Sequence, residues 1–94
     1  MSLHSREIDA AWKKIGMEVR DGRDIHARLY VDDVLILTTR RSKGSGPIGG
    51  NIPHLIRQQM RLNQDQFHDL IGCPLDREEY IAILRSKGLV PIRN

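Results

Sequence analysis

Apolar residues recur along the start of the chain with a helical period and then switch to a strand period. Ile8, Ala11, Trp12 and Ile15 stand at i, i+3, i+4 and i+7, one stripe of an amphipathic helix. Ser5 offers a hydroxyl N-cap, Glu7 and Asp9 place acid in the first turn, and Gly16 stands where a helix closes on a glycine. The spacing predicts a helix over 5–15. Met17-Glu18-Val19-Arg20 then alternates as a short strand, and Asp21-Gly22-Arg23-Asp24 reads as a hairpin turn. Next, Ile25, Ala27, Leu29 and Val31 alternate with His26, Arg28 and Tyr30. In a strand the first set faces a core and the second set shares the opposite face. Asp32-Asp33 makes a second tight turn. Val34-Leu35-Ile36-Leu37-Thr38-Thr39 is apolar on both faces, the pattern of a central, covered strand. A three-stranded antiparallel sheet follows.

Residues 41–50 carry four glycines and one proline, which predicts a mobile basic loop. Asn51 is placed to cap a helix that tolerates Pro53 in its first turn, with Ile52, Leu55, Ile56 and Met60 as its buried stripe. Asn63 to Phe67 starts a further short helix, apolar at Phe67, Leu70 and Ile71 and ended by Gly72. Asp76 opens a last helix with Tyr80, Ile81 and Leu84 on its apolar side and Gly88 as its stop. Trp12 and Phe67 fall on apolar stripes and read as core. Cys73, between Gly72 and Pro74, reads as a turn or core filler. The expected class is α+β, one domain of order α-β-β-β-α with helices on one face of the sheet and an extra C-terminal helix.

Composition narrows the class further. Ninety-four residues, 39% of them hydrophobic, suit a single domain over 1–94. The single cysteine allows no internal disulfide and points to a reducing compartment. No apolar run reaches membrane-spanning length, and Met1 to Arg6 lacks the apolar segment of a secretory signal, so a cytoplasmic protein without membrane contact is expected. The net charge is +3, from 15 Lys and Arg against 12 Asp and Glu. Its distribution matters more. Between Asp33 and Asp65 there is no acid, while Arg40, Arg41, Lys43, Arg57 and Arg61 all fall there. Such a zone suits a nucleic acid or an acidic protein, and equally a solvated basic surface.

The chemistry worth weighing lies on the polar face of the second strand. A histidine shuttles protons near neutral pH, an arginine forks around a phosphate, and a tyrosine stacks on a base. His26, Arg28 and Tyr30 at i, i+2 and i+4 line up along one sugar–phosphate backbone. RNA cleavage without metal needs a base for the 2′-hydroxyl, an acid for the departing 5′-oxygen and positive charge at the phosphate. The plain alternative is an ordinary solvated sheet face. Arg23 in the hairpin turn, Arg40, Arg41 and Lys43 after the third strand, and Arg57 on the next helix are the candidate phosphate contacts. No metal-ligand spacing, P-loop or nucleophile-elbow motif is present, so no cofactor is expected.

The stretch Gly50-Asn51-Ile52-Pro53-His54-Leu55-Ile56-Arg57-Gln58-Gln59-Met60-Arg61-Leu62-Asn63-Gln64-Asp65-Gln66-Phe67 is similar to the segment Gly-Thr-Leu-x-x-Ile-Leu-(Arg/Lys)-Gln-Ala-Gly-Leu-Ser-x-x-x-Phe of the HicA family, with one residue inserted near Met60. Glu7-Ile8 through Gly16-Met17 is similar to that family's opening helix. The chain thus resembles the HicA toxin–antitoxin mRNA interferases over residues 5–71, leaving 72–94 as a C-terminal extension. The resemblance implies a double-stranded-RNA-binding-like fold, metal-independent mRNA cleavage and a HicB-type antitoxin partner. It implies His26 as the catalytic histidine. The family's compact Gly-Ser-His is replaced here by Gly22-Arg23-Asp24-Ile25-His26, and its Val-Pro strand end by Leu37-Thr38-Thr39-Arg40. A non-catalytic RNA- or protein-binding module of the same fold is the alternative, and a homodimer is compatible with either.

Overall fold

The computed structural model describes residues 3–44, 46–72 and 74–91. In chain order its elements are β1 (Leu3–His4), α1 (Ser5–Lys14), β2 (Glu18–Asp21), β3 (Asp24–Val31), β4 (Val34–Ser42), β5 (Pro47–Ile48), α2 (Ile52–Gln59), α3 (Gln64–Ile71) and α4 (Arg77–Ser86). The class is α+β: a three-stranded antiparallel sheet of order β2-β3-β4 with four helices, beside a two-stranded ribbon of β1 and β5.

The ribbon changes the expected element order, because the chain begins with a strand. Leu3 pairs with Ile48 and His4 with Pro47. Its cause is local. Leu3 is buried, and Ser5 exchanges two bonds with Gly46: the Ser5 amide donates to the Gly46 carbonyl at 2.9 Å, and the Gly46 amide donates to Ser5 Oγ at 3.1 Å. The Ser5 hydroxyl is therefore spent on the ribbon. His4 takes the N-cap instead, its Nδ1 accepting from the Arg6 amide while the Glu7 carboxylate accepts from the His4 amide at 2.9 Å. The same ribbon corrects the reading of 41–50 as a mobile loop, since β4 runs on to Ser42 and β5 is paired.

A second correction concerns the sheet. β3, not the more apolar β4, is the central strand; β4 lies at the edge, with Val34 47% and Leu35 48% exposed. The inner face of β3 is as expected. Ala27, Leu29 and Val31 are buried against Ile8, Trp12 and Ile15 of α1, Ile56 of α2, Phe67 and Leu70 of α3, and Tyr80 and Leu84 of α4. All four helices contribute side chains to this one core, together with the Ala27, Leu29 and Val31 side of β3. Asn51 precedes α2 but its side chain makes no capping bond. Gly16 closes α1 with φ +73°, and the amides of Gly16 and Met17 return to the Lys13 and Trp12 carbonyls.

The last helix is integral to the domain. Tyr80 is fully buried and its hydroxyl donates to the Met60 carbonyl at 2.8 Å. Arg77 donates to the Ile15 carbonyl at 2.6 Å and to the Tyr30 carbonyl at 3.0 Å, tying α4 to the ends of α1 and β3. Among the described residues no helix is long and apolar enough to cross a membrane. Cys73 lies outside the described residues.

Candidate nucleic-acid interface

Antiparallel pairing puts directly opposed residues on the same face of a sheet. The register therefore builds the outer face row by row. His26 is opposed by Arg20 on β2 and by Arg40 on β4, and Arg28 by Glu18 and Thr38. Tyr30 is opposed by Leu35, past a bulge in which Ile36 is the extra residue. From His26 to Tyr30 the strand rises about 13 Å, at about 3.3 Å per residue. His26 is thus flanked by an arginine on each neighbouring strand, with a third arginine and a tyrosine further along its own strand.

His26, Arg28 and Tyr30 are half-buried among their neighbours, while Arg20 and Arg40 are exposed. The face is not purely cationic. Arg20 Nε donates to Glu18 Oε1 at 2.8 Å, and that bond, together with the Glu18 charge, holds the Arg20 guanidinium above its usual range. Arg40 lies 3.7 Å from Asp24. At the His26 end of the sheet Arg23 is exposed in the β2–β3 turn, and Lys43, just past β4, meets Asp21 at 2.9 Å.

Two of the expected phosphate contacts stand elsewhere. Arg41 is opposed by Ile25, so it points to the inner face, where it is buried. Its Nε and Nη2 donate to the two carboxylate oxygens of Asp9 on α1, each at 2.8 Å, and Nη1 donates to the Ser42 and Gly44 carbonyls. All three nitrogens of that fork donate within the chain. Arg57 sits in the helical layer. It donates to the Leu62 carbonyl at 2.9 Å and meets His54 Nδ1 at 2.7 Å, at the wall of a cleft of about 380 Å³ shared with His68 and Asp65. Arginine is protonated at all accessible pH, so His54 Nδ1 is the acceptor in that contact.

Arg20 and Glu18 join the face although neither was singled out from the sequence. The signal was present in the turn: Asp21 pairs with Ile25 across Gly22, Arg23 and Asp24, and counting back one step puts Arg20 against His26. Among the described residues no three His, Cys, Asp or Glu side chains gather to hold a metal ion. No protein family, no curated protein and no solved structure matches the chain.

Proposed function

We propose that the outer face of the sheet binds RNA and cleaves it without metal, as a HicA-like toxin of the cytoplasm acting on mRNA and held in check by a HicB-like antitoxin over this face. The observation that carries the reading is the cross-strand row Arg20–His26–Arg40. A proton-transfer group with an arginine on each neighbouring strand suits attack of a 2′-hydroxyl on its own phosphodiester, and an incoming phosphate would draw the two arginines from Glu18 and Asp24. His26 is the general acid or base, Arg28 and Arg40 hold the phosphate, and Tyr30 stacks on a base. Arg23 and Lys43 extend the cationic track at the His26 end. Arg41 has no part in it because it is buried on the inner face, and Arg57 has none because it stands in the helical layer.

A second reading, a module of the same shape that holds RNA without cutting, is favoured by one observation. Among the described residues, five clefts of about 190–560 Å³ are lined without His26, which fits a platform better than a pocket. Induction of the chain and of its His26→Ala variant in bacteria separates the two. Growth arrest by the parent alone supports cleavage through His26. Arrest that persists in the variant removes His26 from the mechanism, and arrest by neither favours the binding module.

A further inference from the structure

β4 has the sequence of a covered strand and the position of an edge. Val34, Leu35, Ile36 and Leu37 are apolar in succession, yet β4 pairs with β3 on one side and among the described residues no strand lies on its other side. Such an edge presents unpaired backbone donors and acceptors, a template for one more strand. Beside it lies a cavity of about 230 Å³ lined by Ile36, Leu37, Thr38, Gln59, Arg61 and Leu89. Its lining joins three successive β4 residues to Gln59 at the end of α2, where Thr39 Oγ1 donates to Gln59 Oε1 at 2.8 Å, so the cavity lies where the edge strand meets the helical layer. Leu89, on its far wall, is 37% exposed.

The charge at the cavity is positive. Arg61 lines it, the Lys87 ammonium donates to the Arg61 carbonyl, and among the described residues no carboxylate lines the wall. Arg61 also stands in left-handed backbone, φ 62°, at the position after the α2 C-cap where glycine sits without strain. A charged side chain is thus held at this lip against its backbone preference.

We propose that the β4 edge receives an extended acidic segment of a partner protein by strand addition. Main-chain hydrogen bonds run along β4, an apolar side chain of the segment enters the cavity between Leu37 and Leu89, and a carboxylate faces Arg61. A nucleic acid would match the cations but not the apolar wall or the unpaired amides. A second copy of this chain would match the strand but bring the same cationic rim against its own. The assignment does not depend on the sheet's outer face acting on RNA.

The test titrates the full-length protein with a fluorescein-labelled heptapeptide alternating glutamate with valine, and follows backbone amide resonances. Binding is expected to weaken as salt rises and to shift amides within Val34–Ser42. Leu89→Glu weakens it about tenfold, which corresponds to ~1.4 kcal/mol. Arg61→Gly weakens it about threefold while raising the melting temperature by a few degrees, so lost binding in that variant is not lost folding. The proposal is overturned if the peptide fails to bind at millimolar concentration, if a lysine–valine peptide binds equally well, or if the shifts map to Glu18, His26 and Arg28. Self-association of the free chain through β4 overturns it in favour of a second copy.

Discussion

Arg41 and Asp9 are joined by two parallel bonds of 2.8 Å each, fork to carboxylate, and this pair bolts α1 to the end of β4. The Arg41 side chain is almost wholly covered, whereas that of Asp9 is 46% exposed. Removing Asp9 strands a buried cation, but water and the Ser42 and Gly44 carbonyls still reach it. Asp9→Ala is therefore expected to cost about 2 kcal/mol, below the ~3–5 of a fully buried pair. Arg41→Lys recovers little, because an ammonium cannot reproduce the planar fork. Urea unfolding followed by the fluorescence of Trp12, the single tryptophan, reads both effects. In the same variants RNA affinity of the folded protein stays unchanged.

Tyr80 gives the chain an alkaline limit. Burial pushes its phenol well above the usual tyrosine range, and its hydroxyl donates to the Met60 carbonyl. The folded state thus holds the proton more tightly than the unfolded state does. The stability this supplies is complete below the unfolded pKa of about 10 and is lost as pH rises beyond it. Tyr80→Phe is expected to cost about 1 kcal/mol at neutral pH and to flatten the fall in stability above about pH 10. An equally steep alkaline fall in that variant would assign the limit to another group.

The β3–β4 turn is built from two left-handed aspartates, Asp32 at φ 53° and Asp33 at φ 65°. Positive φ at both central residues is the mirror-image turn that matches strand twist, and it favours glycine at the second position. Asp33→Gly is expected to stabilise the fold by about 0.5–1 kcal/mol. A higher urea midpoint at unchanged slope is the expected record.

Each outer-face arginine that meets a phosphate releases counterions. Arg28→Ala and Arg40→Ala should each weaken binding to single-stranded RNA and lower the slope of log affinity against log salt by about 0.7. Arg57→Gln should leave that slope alone, since Arg57 belongs to the helical layer. A slope lowered by Arg57→Gln but not by Arg28→Ala would move the RNA from the sheet to the cleft beside His54.

Much of this arrangement is readable from the chain because periodicity and local chemistry agree there. The α1 stripe, the alternation through β3 and the closing turn at Gly16 each encode one geometry. Strand order is not local, and it overturned the reading of β4. An apolar run of four residues signals a need for cover without saying whether the domain or another chain supplies it. Arg41 failed for a related reason: neighbours in a strand point to opposite faces, so Arg40 and Arg41 cannot both serve one surface. Its partner Asp9 is distant in sequence, and no spacing links the two. The β1–β5 ribbon was invisible because two-residue strands carry no period.

Purified protein incubated with long RNA in EDTA, beside its His26→Ala variant, puts the nuclease proposal to direct trial. Fragments should accumulate with the parent chain and not with the variant, while both retain RNA binding. Intact RNA with both proteins, or equal cleavage by both, would contradict a catalytic role for the histidine between Arg20 and Arg40.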